Sequence, residues 1–288
     1  MTKIILVSTS ATELNGHATG LWLEELAVPY YQFKEAGFDV VIASPAGGPI
    51  PIDKSSMSGG SFNDACKKFM VSCQWWCDMS VQWTIILRIV SPSLDDSDCH
   101  ISFTKHDADA IGQLGHSAKL DSIDFSSGID AIFLCGGHGT CTDFHVSADL
   151  KNAIETLYAA DKIVAAVCHG PMGLTHCTNP DGTPLVKDKV VTGFKDTEEI
   201  KAHLENIVPF MLETKLRELG AKYESADDFN PNVCVDGKLV TGQNPQSSER
   251  IAAAVIALLA WAWCPRRDDG VVSMNDQAIT LMCLSPLP

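Results

Sequence analysis

Short, uninterrupted apolar runs alternate with stretches of helical spacing along most of this chain. Five runs read as strands: Ile4–Thr9, Phe38–Ser44, Ile129–Cys135, Ile163–Val167 and Val190–Thr192. They are rich in β-branched residues and lack the apolar–polar alternation of a strand with one wet face. Between the first two, Gly20–Ala36 sets Leu23, Leu26, Tyr30 and Phe33 at helical spacing, and Ala148–Ala160 fills the interval between the third and fourth. Fully apolar strands separated by helices predict an α/β fold, a mostly parallel central sheet with helices on both faces. Further on, Tyr223–Ser225, Val233–Val235 and Leu239–Thr241 read as shorter strands. Asp236-Gly237 marks a hairpin between the last two, and Ser247–Leu259 reads as a closing helix.

Two segments break the pattern. From about Val71 to Thr104 the chain carries Cys73, Trp75, Trp76, Cys77, Trp83 and Cys99, with no periodicity beyond Ile85–Val90. The tail from Trp261 onward ends in Leu-Ser-Pro-Leu-Pro. Five of the six tryptophans fall in these two segments. So sharp a shift marks material foreign to the domain, either an insertion loop or a mis-spliced stretch. The spacing Cys73-x-x-x-Cys77 followed by Cys99-His100 lacks the tight pairs and turn residues of a structural zinc site, so no metal is expected. The organisation expected is one domain over residues 1–260, interrupted at about 71–104, with an irregular tail over 261–288.

Hydrophobic residues make up 45% of the chain, enough for a sizeable core, and the formal net charge is −15. That acidity, with no Lys/Arg stripe, argues against nucleic acid or an anionic membrane as partner. The first apolar run is too short for a signal sequence, and Ile251–Trp263 is too short to span a bilayer. The expectation is a soluble, cytoplasmic protein whose 11 cysteines are not a disulfide framework.

The candidate chemistry centres on Ala165-Ala166-Val167-Cys168-His169-Gly170-Pro171, an apolar strand that ends on a cysteine before a helix-like segment. A tight strand-to-helix turn lifts a nucleophile clear of the sheet, and helix-end N–H groups favour a thiolate there. Taken alone, Cys168 reads equally well as a buried core thiol. Three other segments fall at strand ends. Gly136-Gly137-His138-Gly139 offers backbone N–H groups for an oxyanion pocket, as Gly170 does. His17-x-Thr19-Gly20-x-Trp22-x-Glu24-Glu25 supplies carboxyls; one buried beside the sulfur would be held protonated and could shuttle a proton. Thr192–Glu199 supplies a carboxylate to orient His169. Each has an ordinary alternative as a glycine turn or an acidic helix start. No GxGxxG follows the first strand, so no nucleotide cofactor is expected.

Taken together and in order, these segments resemble the DJ-1/PfpI superfamily, related in fold to class I glutamine amidotransferases. The resemblance is closest to the Hsp31-like branch that contains glutathione-independent glyoxalase III. Val208-Pro209-Phe210-Met211-Leu212-Glu213 and Leu239-Val240-Thr241-Gly242-Gln243-Asn244-Pro245 extend the match, which covers about residues 3–70 and 105–260. The resemblance implies a flavodoxin-like three-layer sandwich with a cysteine elbow. It makes Cys168 the nucleophile, His169 its partner, Glu199 the triad acid with Glu198 as the alternative, and Glu25 the carboxyl against the sulfur. N–H groups near Gly137, His138 and His169 would form the oxyanion pocket, with His138 lining the site. The activity implied is cofactor-free conversion of methylglyoxal, a small dicarbonyl, to D-lactate by a lyase, in a possible homodimer. A holdase chaperone, a redox sensor and a protein or nucleotide deglycase are the alternatives.

Overall fold

The computed structural model describes residues 1–71 and 105–262; the expected insert and tail lie almost wholly outside the described residues. In chain order the elements are β1 (Lys3–Val7), β2 (Glu13–Leu14), β3 (His17–Ala18), α1 (Glu24–Glu35), β4 (Asp39–Ser44), α2 (Asp64–Val71) and α3 (Lys105–Gly115). There follow β5 (Ala118–Lys119), β6 (Ala131–Leu134), α4 (Thr140–Asp143), α5 (Ala148–Ala159), β7 (Ile163–Val167) and β8 (Val190–Val191). The last are α6 (Asp196–Ala202), α7 (Leu212–Glu218), β9 (Lys222–Tyr223), β10 (Val233–Asp236), β11 (Leu239–Gly242) and α8 (Ser248–Ala262).

Among the described residues, seven strands form the central sheet in the order β10-β11-β7-β6-β1-β4-β5. All pairings are parallel except that of β10 with β11, the hairpin turned at Asp236-Gly237. β1, β6 and β7 are the middle of the sheet, and nearly every residue in them is buried, which is why they read as unbroken apolar runs. From β1 the chain runs outward one way through β4 and β5, and from β6 the other way through β7 and β11. The strand order therefore reverses between β1 and β6, and the crevice at their carboxyl ends is where such sheets bind ligands.

The sequence reading departs from the structure in four places. Val190–Val191 is not a strand of the central sheet; it pairs in parallel with Lys222–Tyr223 in a separate two-stranded sheet. Its apolar character comes from packing, not from a place in the main sheet. The edge strand β5 is only two residues long and gives no apolar run. The helix expected from Gly20 starts at Glu24, because the chain before it is drawn against Pro51–Asp53: Leu21 N donates to the Pro51 carbonyl (2.8 Å) and Asp53 N to the Leu21 carbonyl (2.9 Å). Between Leu14 and His17, Asn15-Gly16 turns a small hairpin with both residues at positive φ, a turn signal hidden within a segment read for its chemistry.

Candidate active site

The carboxyl ends of β6 and β7 lie side by side, with Leu134 level with Ala166. One residue past β7 stands Cys168, in the left-handed region at φ 59°. For a non-glycine residue that conformation costs about 1–3 kcal/mol and persists only where the surroundings impose it. Here both of its peptide groups are held. Cys168 N donates to the Gly242 carbonyl of β11 (2.9 Å), and the Cys168 carbonyl accepts from Phe194 N (2.9 Å). The chain then enters a 3-10 turn, Gly170–Leu174, with no room to spare. A Cβ on Gly170 would lie 2.4 Å from the Leu134 carbonyl oxygen, and one on Gly136 would lie 2.5 Å from Glu25 Oε2. Those glycines bring two loops to touching distance over the sheet.

Cys168 Sγ lies 3.4 Å from His169 Nδ1, and His169 Nε2 lies 2.7 Å from Glu199 Oε2. The other carboxylate oxygen, Glu199 Oε1, is 2.8 Å from His138 Nε2. One carboxylate thus bridges two imidazoles whose ring centres are 4.2 Å apart. Accepting from both requires a proton on each Nε2, which leaves His169 Nδ1 bare toward the thiol. Phe194 packs on the His169 ring with centroids 4.5 Å apart. Thr140 Oγ1 donates to the Gly137 carbonyl (2.8 Å) and the His169 carbonyl (3.2 Å), tying the glycine loop to the elbow. Neither Phe194 nor Thr140 stood out by residue type in the sequence.

The neighbouring acid, Glu198, is engaged elsewhere. Its Oε1 accepts from Phe229 N (2.6 Å), Gln243 Nε2 (3.1 Å) and Asn244 Nδ2 (2.9 Å), and its Oε2 accepts from Lys195 N (2.9 Å). Glu198 ties the start of α6 to the loop after β11, whereas Glu199 touches His169. On the opposite side, Glu25 is wholly buried, and its Oε2 accepts from Gly136 N (2.7 Å). Glu25 Oε1 has no partner of ordinary geometry, and the remaining interaction of the carboxyl is with the Cys168 thiol. His17 is exposed on β3 and does not join this group.

Burial dominates the electrostatics. It pushes Glu25 well above the carboxylate range, and the hydrogen bonds from Cys168 and Gly136 offset only part of that. Burial thus favours the neutral acid form of Glu25. Burial also resists ionisation of Glu199, but the two imidazoles outweigh it and hold that carboxyl well below its ordinary value. His169 is depressed by burial and by His138, against the pull of Glu199. Two buried carboxyls, one against Cys168 and one against His169, are thus driven in opposite directions, the arrangement that separates an acid from an anion.

The thiol corrects the sequence reading. Cys168 is only 3% exposed, and burial, with the carboxyl of Glu25, raises its pKa well above the ordinary thiol value. A hydrogen bond from Gly137 N–H works the other way without prevailing. The chain past the elbow forms a 3-10 turn and not the expected α-helix. The resting sulfur is a thiol that needs a base.

The sequence pattern of the DJ-1/PfpI family matches residues 94–258. The chain belongs to the DJ-1/PfpI family. Among its curated relatives, the protein named Glyoxalase 3 from Candida albicans is 29% identical over 266 residues, covering 89% of this chain and 98% of its own. The crystal structure of glyoxalase III from the same organism superposes with a TM-score of 0.70 at 25% identity, covering 89% of this chain and 97% of that one. That of the Rapid Encystment Protein 24 KDa from Francisella tularensis superposes at 0.74 and 31% identity, covering 90% and 99%. The three-layer DJ-1/PfpI sandwich is thus the fold of nearly the whole described chain. No helix among the described residues is long and apolar enough to cross a membrane.

Proposed function

We propose that this protein is a glutathione-independent glyoxalase that converts methylglyoxal to D-lactate, with Cys168 as nucleophile. The observation that carries the reading is one thiol held between a bare imidazole nitrogen and a neutral buried carboxyl. Similarity to glyoxalases over nine-tenths of the chain supports it.

The reaction follows from those three groups. Sγ adds to the aldehyde carbon while His169 Nδ1 takes the thiol proton, and Glu25 protonates the new alkoxide, giving a hemithioacetal. The imidazolium formed is stabilised by Glu199. The Glu25 carboxylate then removes the C1 proton. The electron pair moves toward the C2 carbonyl, whose oxygen takes the proton from His169, and an enediol results. Glu25 returns its proton to C2 as His169 accepts the O1 proton, leaving a thioester of lactate. Water attacks the thioester carbon and gives its proton to Glu25. The departing sulfur recovers its proton from His169. Oxidation level moves only from C2 to C1, so the balance is methylglyoxal plus water to lactate, with no external redox partner. Because Glu25 is fixed on one side of the sulfur, C2 is protonated from one face and a single enantiomer forms. N–H groups around Gly137 and His169 hold the negative oxygen during addition and hydrolysis.

Cys168→Ser tests the reading. Methylglyoxal loss and chiral lactate formation without glutathione should both fall at least a hundredfold, with the melting temperature unchanged. A serine variant near wild-type rate overturns it. The burial that makes the resting sulfur a thiol weighs against the redox-sensor alternative, since sulfenic acid forms from exposed thiolates.

A further inference from the structure

We propose that His138, His169 and Glu199 form an inhibitory binding site for a divalent transition-metal ion of the zinc class. Each of the three buried side chains offers one donor atom, and these atoms lie within 4.8 Å of one another. Two imidazole nitrogens and a carboxylate oxygen are the donor set of three-ligand zinc sites that keep a fourth position for water. With metal–ligand bonds of about 2.0–2.1 Å, neighbouring donors in a tetrahedron stand about 3.3 Å apart. In the structure Glu199 meets the two rings through different oxygens, 2.8 and 2.7 Å away, so one oxygen must turn between the two nitrogens and the donors, now within 4.8 Å of one another, must draw together to admit the ion.

Both rings turn their Nε2 atoms toward the same carboxylate. Phe194 backs His169, and the Glu199 carboxylate sits between the two imidazoles with an oxygen facing each. Access comes through His138, which is 9% exposed where His169 is sealed at 0%. The ligands also carry the right charge. One carboxylate anion faces two nitrogens, and among the described residues no Lys or Arg forms an ion pair with Glu199.

Binding changes the tautomers without net proton release from the rings. Each Nε2 gives up its proton to the metal's lone-pair demand, and each Nδ1 gains one. No bond to carbon forms or breaks, and no electron is transferred. For His169 the consequence is decisive. With Nε2 on the metal and Nδ1 protonated, the ring can no longer take the Cys168 proton. Cys168 itself is not a ligand, because its sulfur lies against Nδ1, on the other side of the ring from Nε2. The binding step stands on the geometry alone. Only the inhibition rests on the proposed role of His169 as base.

The test uses the full chain. Zinc chloride is titrated calorimetrically, without substrate, into wild type, His138→Gln, His138→Asn and Cys168→Ala, each first shown to fold by its melting temperature. Methylglyoxal turnover is then read against free zinc, with magnesium as the oxygen-preferring control. Wild type and Cys168→Ala should bind one equivalent more than either His138 variant. Micromolar zinc should slow wild type at least tenfold, and magnesium should not. Cysteines elsewhere in the chain bind equally in all four proteins and cancel in the comparison. Equal stoichiometry in wild type and both His138 variants overturns the site. Loss of the extra equivalent in Cys168→Ala assigns it to the thiol and also overturns it. Zinc bound at the site with turnover unaffected overturns the inhibition. A chain with no glyoxalase activity but a His138-dependent equivalent of zinc leaves the site standing and removes the catalytic reading instead.

Discussion

Replacing Glu199 by Gln separates the bridging carboxylate from a merely polar group of the same shape. Glu199 accepts from two Nε2 protons and is 3% exposed. An amide has one accepting oxygen and one donating nitrogen, so it satisfies one imidazole and confronts the other with a second donor. That ring must turn over its tautomer or lose its bond. If it is His169, Nδ1 becomes protonated and cannot receive the thiol proton. If it is His138, the imidazolium at His169 still loses its counter-charge. Hydrogen bonds to a charged partner contribute about 1.5–3 kcal/mol each, so stability at pH 7 should fall by about 2–3 kcal/mol. Turnover should fall by about two to four orders of magnitude, or about 3–5 kcal/mol of barrier. The stability loss depends on pH in a defined direction. The folded-state pKa of Glu199 lies below the unfolded value of about 4.3. Its contribution is therefore complete above that value and is lost as pH falls through it toward the folded pKa. The gap between wild type and Glu199→Gln should accordingly close in acid. Urea denaturation at pH 7 and pH 3, with kcat/KM for methylglyoxal at pH 7, reads both quantities. A variant that keeps a third or more of wild-type turnover would refute the triad, and a stability gap that widens in acid would refute the charge state assigned to Glu199.

Three further outcomes are expected. Glu198→Ala should cost stability more than chemistry, about 3–5 kcal/mol by denaturation, because four donors, two of them in fully buried bonds, lose their acceptor together; a stable but inactive variant would exchange the roles of the two acids. Gly170→Ala should destabilise by about 1–3 kcal/mol or more, since the new Cβ meets the Leu134 carbonyl at 2.4 Å and a backbone atom cannot step aside; an unchanged melting temperature would show that the elbow has slack. Joining Met70 directly to Lys105 should leave fold and turnover intact, because loop length enters closure entropy at only about 0.6 kcal/mol per doubling. A shortened chain that fails to fold would make residues 71–104 part of the domain.

The middle of the sheet was legible because β1, β6 and β7 are buried on both faces, and continuous burial leaves a continuous apolar run. The same cue cannot say which sheet a strand joins, so Val190–Val191 read like its neighbours although it pairs with Lys222–Tyr223. Glu198 and Glu199 were inseparable by sequence for a geometric reason. Adjacent residues in the first turn of a helix point about 100° apart, and only the positions of His169, Gln243 and Asn244 decide which way each carboxyl finds partners. The charge state of Cys168 was misread because local turn geometry suggests a thiolate, while burial is set by elements distant in the chain.

The elbow has a consequence for how the protein is made. The amide of Cys168 is held by Gly242, and its carbonyl by Phe194. Glu198, which fixes the start of α6, is held in turn by Gln243 and Asn244. A ribosome that has exposed the chain only just past β7 has delivered Cys168 without the strand whose Gly242 carbonyl holds its left-handed backbone. Residues 239–244 are thus the latch, and they emerge some seventy residues after the thiol. Until they dock, Cys168 lacks the Gly242 contact that holds its left-handed backbone, and a chain truncated before residue 239 cannot complete the elbow.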